Sequence, residues 1–369
     1  MNRLPFLALY LLTACASTPI QSVVVESPIA GARPADDLIQ EGEVHFKHLW
    51  QLTDGGENAE AYWSFAGDRL VLQSRRPKEG VECDRIYVTE AGGTTRQISN
   101  GRGATTCSYF LPGDTKVLFA STHSDHETCP EPPDRSKGYV WALHPEYDIY
   151  LHDLASGDTE TMIGGPGYDA EATISPTGDR LVFTSTRSGD IELWTCNLDG
   201  TDIRQVTNEP GYDGGAFFSH DGQQLVWRST QFSDEDREAE LKDYRALLET
   251  DLVRPSNMEI MVARADGSGR KQVTHLGKAN FAPFFFPDDQ RIMFSTNHHD
   301  PNRPAMNFDL FSIRPDGTDL EQVTFYNGER GKQFDSFPMF SPNGRYLAFS
   351  SNRGTGEAGE TNVFIAEWQ

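Results

Sequence analysis

Of six short repeated phrases in this chain, five carry an acidic or amide residue at one fixed position and five carry a basic residue at another. The six centre on turns at Gly67, Gly113, Gly178, Gly222, Asp289 and Gly344. Nine positions before the turns stand Asn58, Ala104, Asp169, Asp213, Asn280 and Asp335. Nine positions after them (ten in the second phrase) stand Arg76, His123, Arg187, Gln231, His298 and Arg353. An acceptor facing a cationic donor, repeated from phrase to phrase, has two uses. It can tie neighbouring loops together, or it can form a polar ring that holds a cation, a small ligand or a segment of another protein. The ring reading takes Asp169, Glu171, Asp213, Asn280, Asp335, Arg187, His298 and Arg353 as ligand- or partner-binding candidates. Glu60 and Glu171, two residues beyond the acceptor position, would turn further carboxylates toward the centre and favour cations or basic peptides.

Other reactive side chains are fewer. Cys83, Cys107 and Cys129 fall close together in sequence, and "HSDHETC" (His123 to Cys129) allows a zinc site, a disulfide or free thiols. The disulfide expected is Cys83–Cys107, with Cys129 pairing to either as the competitor, and Cys196 is expected as a buried thiol. "NHHD" (Asn297 to Asp300) reads as structural, because adjacent side chains at a strand end point to opposite sides. Neither a Gly-x-Ser-x-Gly elbow nor a His-Glu-x-x-His helix occurs, so no catalytic residue and no cofactor is expected. A divalent ion at Asp169, Asp213 and Asp335 is the one metal alternative.

The elements that must position these residues repeat with them. Each phrase is an apolar strand, a tight turn and a second apolar strand, as in "ATISPTGDRLVFTS" and "PMFSPNGRYLAFSS". A third strand follows, such as "ELWTCNL", and then usually a Gly turn and a fourth strand ending in Gln-Val-Thr. The copies lie roughly 45 to 65 residues apart, near the spacing of propeller blades. The last copy stops at its third strand, and "VHFKHLWQLT" (Val44 to Thr53) has the form of a missing fourth. An N-terminal strand would thus complete the last blade and close the ring. The fold expected is all-β: a six-bladed β-propeller of four-stranded antiparallel blades over residues 43–369.

The Ser-Pro-x-Gly turn, the Phe-x-Ser-x-Arg strand end and the Gln-Val-Thr strand resemble the repeats of TolB-like periplasmic β-propellers. The resemblance spans about residues 43–369 and implies contact with envelope lipoproteins and transport machinery. Members of the Tol system carry a separate N-terminal α/β domain, whereas here a tether is expected to lead straight into the first blade.

That tether is read from the first residues. "MNRLPFLALYLLTAC" has signal-peptide form, and Leu12-Thr13-Ala14-Cys15 resembles a lipobox. The expectation is a signal peptide over 1–14, lipidation at Cys15 and a flexible tether over 15–42, with Ala16 favouring the outer membrane. A net charge of −23 argues against nucleic acid and against direct binding to anionic lipid, leaving the acyl anchor as the membrane contact.

Alternating strand directions put the short A–B and C–D turns on one face and the B–C and D–A loops on the other. The long-loop face receives every large insertion, including a helix expected near 234–249 within residues 231–257, with Ser233 and Asp236 as its cap. That helix either packs on its own blade or forms a lid or docking element over the channel. The function expected is a non-enzymatic, membrane-tethered periplasmic scaffold for an envelope protein or peptide. The alternative is a metal-dependent hydrolase or lyase at the channel mouth.

Overall fold

A strand with a neighbouring blade on each side buries both faces, and the second strand of each phrase is accordingly apolar throughout. In the computed structural model, which describes residues 25–299, 307–326, 333–357 and 359–369, Leu181, Val182 and Phe183 have no solvent exposure, and neither do Leu347, Ala348 and Phe349. Six antiparallel sheets surround one axis, so the expected six-bladed propeller is what forms. Blade three is typical: Asp169–Ile174, Arg180–Ser185, Glu192–Asn197 and Arg204–Gln205 run from the inside outward as strands A to D. Outer D strands of two or three residues in four of the blades leave little edge for another chain to pair with. Phe46–Gln51 supplies strand D of blade six beside Asn362–Trp368, closing the ring as the orphan segment predicted.

The A–B turns interlock from blade to blade. At Gly344 an added Cβ would meet Pro287 of the preceding blade at 2.8 Å, and φ there is +69°, so glycine suits both the space and the backbone. Two blades carry Asp at this position instead. The Asp114 carboxylate accepts the amides of Phe65 and Ala66, and Asp289 accepts those of His220 and Asp221. Each therefore caps the turn of the blade before it.

Asp114 also resets the register of blade two. Its amide closes the turn onto Leu111 O as that of Gly178 does onto Ser175 O. The turn position is thus Asp114, not Gly113, and the acceptor position is Thr105, not Ala104.

Three further expectations change. Residues 25–42 are not all tether: Arg33–Pro34 adds a fifth strand to blade six, Ile29 and Ala35 are buried, and the Trp50 indole donates to Val25 O at 3.3 Å. Cys83 bonds to Cys129, the competing partner, and not to Cys107, which is a free thiol; Cys196 is buried as expected. The B–C insertion of blade two folds back over blade one and brings Cys129 there, a path that spacing does not reveal. Helix α1 spans Arg237–Leu248; Ser233 Oγ accepts the Asp236 amide at 3.1 Å, while Glu240 rather than Asp236 reaches back to the Ser233 amide. The signal-peptide and Cys15 assignments lie outside the described residues.

Candidate functional site

The repeated acceptors start strand A, where the chain turns inward from the long-loop face, and in each blade they are at most 2% exposed. Asp169 accepts both its bonds from Arg187 Nη2, at 2.8 and 2.9 Å. Asp335 accepts from Arg353 Nη2 at 2.9 Å, and Glu43 accepts from both terminal nitrogens of the same guanidinium. Asp213 takes the Trp227 indole at 2.9 Å and Arg270 at 3.3 Å, while Gln231 bonds Ser229 instead. Asn280 donates to Met258 O and accepts from Thr296, whose hydroxyl also meets His298. Asn58 donates across to Thr361 O of blade six. These residues clamp strand ends and blade seams, which is the loop-tying use of the pattern. Among the described residues, Asp169, Asp213 and Asp335 belong to no cluster of three or more His, Cys, Asp or Glu side chains that could hold a metal ion.

The two adjacent histidines depart from expectation. They follow strand B of blade five in a turn, and both rings pack on Phe311, at 5.0 and 5.3 Å. His299 Nε2 lies 2.8 Å from Asp309, and Asp300 lies outside the described residues.

The channel is lined instead by the position two residues further along. Strand A bulges there in all six blades, at Glu60, Cys107, Glu171, Gly215, Ala282 and Phe337, each with φ between 51° and 61°. A bulge inserts a residue out of alternation and re-aims its side chain. All six of these residues, with Tyr62, Phe217 and Arg228, bound a cavity of about 40 Å³. That is room for a few waters.

Gly215 is required by its neighbour: a Cβ there would lie 1.9 Å from Arg228 Nη1. Arg228 crosses that space to Glu171 and to the Tyr212 hydroxyl. Glu171 further accepts from Thr184 at 2.7 Å, Tyr212 at 2.8 Å and the Gly215 amide at 3.0 Å. Burial alone would lift this carboxyl, but Arg228 and the hydroxyl donors outweigh it and hold it below its ordinary value. Glu60 has no salt bridge among the described residues. Burial raises it to about 7 against the Cys107 hydrogen bond, and the Glu171 charge adds to the rise. Burial likewise pushes the Cys107 thiol well above its ordinary range, so it is not a ready nucleophile.

Aromatic rings fill the channel on either side. Phe217 of blade four reaches across to Tyr62 and Tyr109 of blades one and two, at 5.5 and 6.3 Å. On the long-loop side, two insertions meet over blade three. Trp141–Ala142 of blade two pairs with Leu252–Val253 of blade four, and the Leu143 amide donates to Asp251 O. Trp141 lies over the Arg228 guanidinium at 5.4 Å and edge-on to Tyr212 at 6.1 Å. Helix α1 is fixed by its Tyr244 hydroxyl to Asp190 of blade three. The helix is therefore half of a two-part cap and does not pack on its own blade alone.

Glu60 and Glu171 were legible as channel residues, but Arg228, Tyr212 and Trp141 were not. The signal for Arg228 is its place in strand B, where the other blades carry Gln73, Ala120, Thr184, Ser295 and Ser350, opposite the Gly214-Gly215 pair.

No family model matches the sequence, and no curated protein matches it. Solved structures do. TolB from Acinetobacter baumannii is similar at 18% identity and a TM-score of 0.50, over 85% of this chain and 63% of that one. This chain thus spans less than two thirds of that protein's length. A protein assigned as TolB from Agrobacterium tumefaciens is similar at 16% identity and a TM-score of 0.52, over 85% and 91%. A gluconolactonase from Xanthomonas campestris is similar at 12% identity and a TM-score of 0.54, over 92% and 97%. At such identities the likeness concerns architecture, and one architecture hosts binding and catalysis alike. The chain folds as a TolB-like six-bladed β-propeller.

Proposed function

We propose that the protein is an envelope scaffold that binds a protein or peptide partner through the cap on its long-loop face. One observation carries this reading: the channel is filled by aromatic rings and an ion pair and covered by the paired insertions, so the cap is the surface left to meet a partner. Its outer side is exposed and acidic, with Asp234, Glu235, Glu238, Asp243 and Glu249 on or beside α1. A partner with a basic face suits it, and association should then weaken as salt rises. The N-terminal residues support anchoring through Cys15 in the periplasm. None of the helices among the described residues is long and apolar enough to cross a membrane.

Metal-dependent hydrolysis or lysis at the mouth is the weaker reading. Oligogalacturonate lyase, solved with manganese, shares the architecture at 11% identity. Here Asp169, Asp213 and Asp335 do not fit a metal: each is buried and bonded to an arginine. The cavity of about 40 Å³ is also too small for a sugar residue. The test is photocrosslinking in intact cells from Glu238 and Asp243 on the cap, with Asp199 on the short-turn face as control. A discrete partner from the cap positions alone is expected. Crosslinks from Asp199 alone, or none from the cap, would reject the reading.

A further inference from the structure

The cap is held unevenly. Its inner end is packed: Val140, Leu143 and Tyr147 are buried, and Trp141 rests on Arg228. The arm leading there from Cys129 is largely exposed from Glu131 to Tyr139 and holds one short 3-10 turn, Arg135–Lys137. Where the two insertions meet, the ladder is two residue pairs long. The covalent hold is the bond from Cys129 to Cys83 in strand C of blade one (Val81–Thr89), across a sequence separation of 46. Cys83 is 7% exposed while Cys129 is half-buried, so Cys129 is the sulfur that solvent reaches more readily. An unbonded, half-buried cysteine, Cys107, stands in the channel wall beside Glu60 and lines the same cavity as Arg228, on which Trp141 of the cap rests.

We propose that the Cys83–Cys129 disulfide is a redox latch on the cap, and that its reduction opens the channel chamber to solvent. A dithiol reductant attacks the Cys129 sulfur, the Cys83 sulfur leaves, and a second dithiol sulfur resolves the mixed disulfide. Two electrons and two protons pass to the protein, which ends with two thiols, and the reductant ends as a disulfide. Freed at its root, the arm is retained by the two-pair ladder, by the hydrogen bonds of Lys137 with Arg254 and Thr250 and by packing at its inner end, so it opens locally while the blades stay folded. The latch does not depend on the identity of any partner.

Cys107 is the reporter and buried Cys196, in strand C of blade three, is the internal control. The rate of maleimide labelling at each is read by mass mapping of the full-length protein. Three samples are compared: the oxidised protein, the same protein after mild dithiol treatment, and Cys83→Ser/Cys129→Ser. Opening the latch should raise Cys107 labelling by about tenfold or more and leave Cys196 unchanged. Equal Cys107 labelling in the oxidised and reduced protein would overturn the proposal. So would a parallel rise at both cysteines, which marks the bond as a staple of the whole propeller. If the double variant fails to fold, the oxidised and reduced natural protein still decide the matter.

Discussion

Arg353 and Arg187 occupy the same repeat position and face different dielectric surroundings. Arg353 has no exposed side-chain surface and holds two carboxylates, Asp335 and Glu43, whereas Arg187 is 23% exposed and holds Asp169. Removing one partner of a buried pair strands the other charge. Arg353→Met should therefore cost about 3–5 kcal/mol, and Arg187→Met about 1–2 kcal/mol, by denaturant unfolding. Partner capture by either variant, while folded, should match the parent. Loss of capture by a stably folded Arg187→Met would restore the ring to the binding site. A second residue-scale consequence is pH dependence. Burial raises Glu192 from 4.5 to about 8, with the Asp213 and Asp190 charges adding, and Glu60 rises to about 7. The folded protein then keeps protons that the unfolded chain has lost, so stability should be highest below pH 4.5 as far as these two groups decide, and fall as pH rises toward 8. Glu192→Gln should flatten that fall, seen as a smaller drop in Tm between pH 5 and 8.5; an unchanged drop would show that Glu192 titrates normally.

At the scale of elements, the N-terminal segment is where the structure adds most. Residues 25–42 bring Ile29 and Ala35 into the core and pair Arg33–Pro34 with strand D of blade six. Strand Phe46–Gln51 then completes that blade. Three truncations should separate these contributions. Removing the residues up to 24 should leave Tm unchanged. Removal through 42 should lower it by several degrees, because buried apolar surface is lost. Removal through Thr53 should leave blade six with an open edge and produce aggregation in light scattering. Equal melting of the first two truncations would mean that the 25–42 segment adds no stability.

At the scale of the whole molecule, the propeller is a rigid ring whose two faces differ. One face carries short interlocked turns and the other carries the cap. If Cys15 is acylated, the chain's membrane contact is its lipid, and Cys15→Ser should move the protein from the membrane pellet to the soluble envelope fraction. Persistence in the pellet after a high-salt wash would point to another attachment.

Much of this architecture was written locally. Blade number, ring closure and the turn positions of every blade but the second were legible because they depend on strand periodicity, on Gly or Asp turns and on one unpaired strand at each end of the repeats. Glu60 and Glu171 were legible as channel residues from their place in the repeat. The partners of those residues were not. Arg228 meets Glu171 from the next blade through space opened by Gly215, and a bulge suspends the alternation that would have predicted side-chain direction. Cys129 pairs with Cys83, and Trp141–Ala142 with Leu252–Val253, because two insertions from different blades fold over the channel and meet blade one and each other. Sequence spacing records the distance along the chain between such groups; their distance in space is set by the closure of the ring and the path of the loops across it.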